Sequence, residues 1–207
     1  MAKVLFIKAN DRPADQATSV KLYDAFIKAY TSSNPTDEIT ELDLFNVELP
    51  YYDNSFITAL YKQGQGLELT EEETAKAKLV NSYLDQFLAA DKIVFAFPLW
   101  NFTTPAQLVT YISYLSQAGK TFKYTAAGPV GLVTDKKVVL LHARGSVYSE
   151  GPMSNIEAAL RFVKGTIGLW GLKAEEVIIE GHNQFPDRAQ DILNTGLEEA
   201  KQLAATF

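Results

Sequence analysis

Apolar and polar positions along the chain are arranged in blocks. Short apolar runs at 4–7, 39–44, 93–97, 138–141 and 177–179 read as strands. The first, third and fourth are continuous rather than alternating, as in strands buried on both faces of a parallel sheet. Between the runs lie longer stretches with helical spacing, at 19–30, 70–90, 106–117, 154–170 and 187–205. Thr70 with Glu73 forms a capping box at the start of the second of these, and Pro105 suits a first helical turn. Five β–α units in succession predict an α/β fold, a doubly wound sandwich, because right-handed crossovers place helices on both faces.

Two insertions break this rhythm. Residues 45–69 hold Tyr51, Tyr52, Phe56 and Tyr61, and residues 121–135 read as a hairpin-like excursion before the fourth strand. Long segments of this kind are either functional or pack over a sheet edge.

Composition narrows the classes. A single domain over 1–207 is expected at this length, and 47% hydrophobic with 21% charged residues is ordinary for a folded protein. The formal net charge of −6, with charges interspersed, argues against nucleic acid or an anionic membrane as partner. No cysteine is present, which removes disulfides, thiolate metal sites and a cysteine nucleophile. The two histidines lie forty residues apart, His142 and His182, so no metal site is expected. The apolar run at 4–7 is too short for a signal peptide, and no stretch approaches the roughly 20 apolar residues of a membrane span. A cytoplasmic protein is expected.

Ligands of open parallel sheets bind beyond the carboxyl ends of the strands, near the switch in strand order. In a sheet of order 2-1-3-4-5 the loops at 9–18, 98–104 and 142–152 follow three neighbouring strands. The first, "ANDRPADQATSV", brings Asn10, Ala17, Thr18 and Ser19 to the opening of a helix, where unpaired amides favour phosphate. Thr18 or Ser19 simply capping the helix is the competing reading. Neither G-x-G-x-x-G nor a P-loop is present, against a Rossmann dinucleotide site or a nucleotide triphosphatase.

The middle loop places Pro98, Leu99, Trp100, Asn101 and Phe102 at a tip, where large apolar groups cost solubility unless something flat and partly polar lies against them. The third, "HARGSVYSEGP", offers Gly145 and Gly151 for backbone approach, Ser146 for a hydrogen bond and Arg144 for charge. His142 ends a buried strand and reads as a hydrogen-bonded core residue, and His182 has no identifiable partner. No serine sits in a G-x-S-x-G elbow, so a hydrolytic triad has no support.

These three loops in this order resemble those of the FMN-dependent NADH-azoreductases and related flavodoxin-like quinone reductases. The likeness covers the opening "KVLFIKAN", "PLWNF" followed by a helix, "FKYTAAGPVGLVTDKK" and "ARGSVYSEGP". Two departures stand out: Asn10 where a serine is frequent, and Ala143 with Ser146 where the common pattern is S-R-G-G. The resemblance implies a flavodoxin-like three-layer sandwich. It also implies FMN held by Asn10, Ala17, Thr18 and Ser19 at the phosphate, and by Pro98 to Phe102 along the ring. Ala143, Arg144, Gly145, Ser146 and Tyr148 would form the remaining wall.

On this resemblance the activity is transfer of two electrons from NADH or NADPH, through FMN, to quinones and azo compounds by ping-pong turnover. The flavin carries the chemistry and no catalytic side chain is assigned. Tyr52, Phe102, Phe122 and Tyr124 are the candidate substrate contacts. The resemblance further implies a homodimer with active sites at the interface, built from the 51–61 segment, Phe122, Tyr124 and the 154–170 helix with its Gly165 and Gly168. A flavodoxin-type one-electron carrier is the alternative, and a regulatory domain that has lost FMN is a third reading.

Overall fold

The computed structural model describes residues 1–207. Seven strands and six α-helices follow the chain. β1 (Lys3–Lys8), α1 (Thr18–Ser33), β2 (Glu38–Asp43), α2 (Asn54–Gly64), α3 (Glu71–Ala89) and β3 (Lys92–Pro98) come first. Then follow α4 (Ala106–Leu115), β4 (Phe122–Thr125), β5 (Gly128–Gly131), β6 (Lys137–Arg144), α5 (Ala159–Leu169), β7 (Ala174–Glu180) and α6 (Ala189–Thr206). The five long strands form one parallel sheet of order β2-β1-β3-β6-β7, the doubly wound order expected from the sequence.

The continuous apolar runs sit where both faces are covered. Leu5, Ile7, Ile93, Phe95, Val138 and Leu140 face one core layer, and Val4, Phe6, Val94, Ala96, Val139 and Leu141 face the other. One layer is closed by α3, α4 and α5, which contribute Phe87, Tyr111 and Val163. The opposite layer is closed by α1 and α6, through Phe26, Tyr30, Ala200 and Ala204. Burial of these side chains drives the packing, at about 1.5–3 kcal/mol for each large aliphatic or aromatic group.

Three boundaries differ from expectation. The 45–69 insertion is not all loop: it contains α2, capped by Asp53, whose carboxylate accepts from the amides of Ser55 and Phe56. Only Phe56 and Ala59 of that helix are buried, while Ile57 and Tyr61 are exposed. The 154–170 stretch is not one helix. It divides into a 3₁₀ turn at Pro152–Asn155 and α5, whose first turn is tied by the Glu157 carboxylate accepting from Leu160 N–H at 2.8 Å. The last stretch likewise opens with a 3₁₀ turn at Pro186–Arg188 before α6. The 121–135 excursion is a hairpin, β4 with β5. No helix is long and apolar enough to cross a membrane.

Candidate functional site

Beyond the carboxyl ends of β1, β3 and β6 lies a crevice of about 250 Å³. Its walls include Asn10, Ala17, Thr18 and Ser19 from the first loop, Pro98, Leu99 and Trp100 from the second, and Ala143, Arg144 and Gly145 from the third. The three loops singled out in the sequence therefore meet at one place. A larger groove of about 510 Å³ between the β2–α2 connection and α3 holds none of these residues.

At one end of the crevice is the first turn of α1. Its N-cap is Ala17, with extended backbone and no side-chain cap. Thr18 and Ser19 are thus not caps, and the capping alternative is set aside. The first amides paired in this helix are those of Val20 and Lys21, both to Ala17 O, so the amides of Ala17, Thr18 and Ser19 have no acceptor within the chain. The hydroxyls are engaged differently. Asn10 Nδ2 donates to Ser19 Oγ at 2.9 Å, and Thr18 Oγ1 lies 3.2 Å from His182 Nε2. Arg12 and Lys21 add cationic side chains at this end, with Asp15 opposing them. Unpaired amides, a helix N-terminus and cations together suit an anionic group.

The middle wall continues β3. Leu99 N–H donates to Ala143 O at 2.9 Å, and Trp100 and Thr103 exchange backbone hydrogen bonds at 2.9 and 3.0 Å. This two-residue turn holds Asn101 at φ 47° and Phe102 at φ 67°, both left-handed. An aromatic residue there is uncommon and strained. The amides of Asn101 and Phe102 make no bond within the chain, while Phe102 O accepts from Ala158 N–H at 2.8 Å. Trp100 packs edge-on against Phe45, and Phe102, 45% exposed, packs edge-on against Tyr148. Asn101 and Phe102 stand at the rim rather than on the crevice wall.

The third wall is organised by Glu180. Its carboxylate accepts from Arg144 Nε at 2.8 Å, Tyr148 N–H at 2.8 Å, Ser149 N–H at 3.2 Å and the Ser149 hydroxyl. Burial works to raise its pKa, but these hydrogen bonds and the Arg144 charge outweigh it and hold the carboxyl below its ordinary value. The amides of Gly145 and Ser146 have no acceptor within the chain. Gly145 also lies against Asn183: a Cβ there would come within 2.5 Å of the end of the Asn183 side chain, which would have to move. Gly151, at φ 72° in open space, serves the turn and is absent from the crevice wall.

Several expectations change. Arg144 is buried, not a free charge facing a ligand: Glu180 pairs with it, and Glu157 Oε2 lies 3.9 Å from Nη1. Phe122 is 7% exposed and belongs to the core, so it does not face the crevice as a substrate contact and offers little to an interface. Tyr52 packs on Phe56 and Tyr114 in a separate aromatic cluster, away from the crevice wall. Tyr124 is 75% exposed, on the β4–β5 hairpin.

The two histidines divide. His142 is buried, with Nδ1 3.0 Å from Phe97 O, as the sequence suggested. Burial pushes its pKa down to about 4, with Arg144 adding to the effect. The imidazole is therefore neutral, and its 3.7 Å approach to Glu157 is not an ion pair. His182 does have a partner, Thr18, and lines the crevice. Sequence reading missed it together with Arg12, Gln16, Lys21 and Asn183, all of which also line this end. The position of His182 just after the fifth strand was the available signal.

The fold and the crevice agree with kinship. The chain matches the model of the flavodoxin-like fold family over residues 2–204 and belongs to that family. It is 62% identical to the FMN-dependent NADH:quinone oxidoreductase of Brevibacillus brevis over 208 aligned positions, covering all of both chains. A Bacillus cereus protein of the same description is 61% identical, again end to end. Among solved structures, an azoreductase from Bacillus anthracis superposes with a TM-score of 0.98 at 56% identity over the whole of both chains. An FMN-dependent NADH-azoreductase from Bacillus anthracis in complex with FMN gives a TM-score of 0.88 at 28% identity. That alignment covers 99% of this chain and 100% of the other.

Proposed function

We propose that this chain is an FMN-dependent oxidoreductase that takes two electrons from NADH and delivers them to quinones and aromatic azo compounds. The observation that carries the reading is the set of unpaired amides on the three loops: Ala17, Thr18 and Ser19, then Asn101 and Phe102, then Gly145 and Ser146. Asn101 and Phe102 are exposed at the rim, but the other five residues are buried or half-buried, where donors without acceptors are rare unless a ligand satisfies them. FMN matches this pattern, with an anionic phosphate at one end and a ring edge rich in acceptors at the other. Relatives at 62% and 61% identity, described as oxidoreductases, favour an enzyme over a one-electron carrier.

The protein's part is binding and orientation. The α1 N-terminus with Thr18 and Ser19 holds the phosphate, and Leu99 and Trp100 give the ring apolar surface. Asn101 and the amides of Gly145 and Ser146 hold its polar edge, where negative charge is stabilised by fixed donors. Bound FMN supplies the hydride and electron chemistry. Phe102 at the rim and the exposed Tyr124 of the β4–β5 hairpin are the candidate contacts for donor and acceptor, which use the same face in turn, so turnover is ping-pong. Cleaving an azo bond to two amines takes two such rounds. A cytoplasmic location, where NADH is available, is part of the same reading.

The assembly is a homodimer with the sites at its interface. Tyr51, Ile57, Tyr61 and Tyr124 are each more than half exposed and are the groups that such an assembly would cover.

The visible spectrum of the purified protein, then anaerobic NADH addition and assay with a quinone and an azo dye, tests the reading. A flavin band bleached by NADH and restored by either acceptor is expected. Protein that binds no flavin when FMN is supplied would overturn it.

A further inference from the structure

We infer that Asn10 and His182 turn the hydroxyl protons of Ser19 and Thr18 outward, making both hydroxyls donors to the anionic end of the crevice. The inference rests on the proposed reading that a phosphate is bound there. Neither hydroxyl donates to any carbonyl of the chain, although Ser and Thr in helices commonly do so. Each instead faces one nitrogen.

For Ser19 the direction is fixed. Asn10 Oδ1 accepts from Arg12 N–H at 3.0 Å, which sets the amide orientation and leaves Nδ2 to donate to Ser19 Oγ. Ser19 must accept, and its own proton is free. The occurrence of asparagine at position 10 is then explained by its two-sided bonding, which a serine would not reproduce.

For Thr18 the direction follows from the other imidazole nitrogen. His182 Nδ1 is buried and has no partner, while Nε2 faces Thr18 Oγ1. Burial and the nearby Lys21 charge lower the pKa of His182, which keeps the ring neutral with a single N–H. A proton on Nδ1 would be a buried, unsatisfied donor. A bare Nδ1 lone pair is the lesser cost, since orphaned N–H groups are rarer than under-used acceptors. The proton therefore resides on Nε2 and is donated to Thr18, and the Thr18 proton is left for the ligand. A phosphate, which only accepts, gains two oriented donors beside the unpaired amides. In the opposite tautomer Thr18 would give its proton to His182 and offer the phosphate a lone pair.

The sign of one substitution separates these cases. The full chain freed of flavin would be titrated with FMN and, as a ligand lacking phosphate, with riboflavin. His182→Phe is expected to weaken FMN by about three- to tenfold, through loss of the polarising bond, and to leave riboflavin unchanged. In a Thr18→Val background it should add nothing. His182→Gln, which can donate again, should restore most of the loss. Tighter or unchanged FMN binding in His182→Phe would overturn the inference, as would an equal loss with riboflavin. Long-range ¹H–¹⁵N correlation on the wild type gives a second readout that needs no variant: an Nε2–H tautomer is expected, and Nδ1–H would refute the Thr18 half. A wild type that binds FMN no better than riboflavin would instead refute the phosphate reading itself.

Discussion

Arg144 and Glu180 are register partners at the last pair of the parallel β6–β7 ladder, and the buried guanidinium of Arg144 pairs with the partly buried Glu180 carboxylate at 2.8 Å. The same carboxylate takes the amides of Tyr148 and Ser149, so one residue fixes both a buried cation and the loop that leaves it. Earlier in the same loop the Gly145 and Ser146 amides have no acceptor within the chain.

Glu180→Ala should therefore be costly. It leaves Arg144 buried with only the more distant Glu157, and removing one partner of a buried pair costs roughly 3 kcal/mol or more. The cost should fall on flavin retention as well, since the loop loses its anchor. Urea unfolding of the flavin-free chain, beside an FMN titration, measures both. Unchanged stability would mean that Glu157 alone compensates Arg144.

Phe102 offers the opposite contrast between strain and function. Its left-handed backbone costs a non-glycine residue about 1–2 kcal/mol, and its half-exposed ring recovers little of this through burial. Phe102→Gly should leave the flavin-free chain as stable as wild type or more so, by up to ~1 kcal/mol, while raising KM for a quinone. A loss of several kcal/mol in thermal unfolding would identify the ring as a packing element instead.

Legibility in the sequence follows the strength of the physical signal. Strands such as 93–97 and 138–141 are readable because a short continuous apolar run between polar helices needs burial on both faces, and their order follows from handedness. The convergence of Asn10, Thr18, Leu99 and Gly145 is readable from topology alone. What escapes is carried by long-range partners. Arg144 has the same letter whether it faces solvent or Glu180, which lies 36 residues away. His182 meets Thr18 across 164 residues, a pairing that no local pattern encodes. Helix α2 lies inside an insertion that reads as loop because its apolar Ile57 and Tyr61 face outward, and Phe122 and Tyr124, both on one hairpin strand, differ in burial in a way their letters do not mark.

Acid should act on His142. Its folded-state pKa lies near 4, below the ordinary value of 6.5, because burial disfavours the charged ring. Between those values the unfolded chain binds a proton that the native chain refuses, so stability rises with pH across that window. As pH falls from about 6.5 to about 4, this single site should remove on the order of 3 kcal/mol, with no further loss from it below pH 4. Above 6.5 it contributes no slope. Stability measured against pH for wild type and His142→Gln isolates the effect from the carboxylates. Equal slopes in the two proteins would show that His142 is protonated in the native state as readily as in the unfolded one.

The assembly is tested through two glycines. Gly165 and Gly168 lie on the exposed side of α5, and a Cβ added at either meets no atom of the chain within 4 Å. In a lone chain, glycine inside a helix is a pure cost, and alanine at each position should stabilise by about 0.5–1 kcal/mol. The same methyl groups would intrude if another subunit packs closely against this face. The two situations predict opposite signs for one double variant. With the proposed dimer, Gly165→Ala with Gly168→Ala should shift sedimentation toward monomer at micromolar concentration and lower quinone turnover, while far-UV circular dichroism stays that of the wild type. Gly168→Glu should do so more strongly, because a carboxylate buried at a symmetric interface meets its own copy or loses its water. A wild type that sediments as an active monomer, or a double variant that is simply more stable and fully active, would mean that α5 is a free surface and that one chain completes the site.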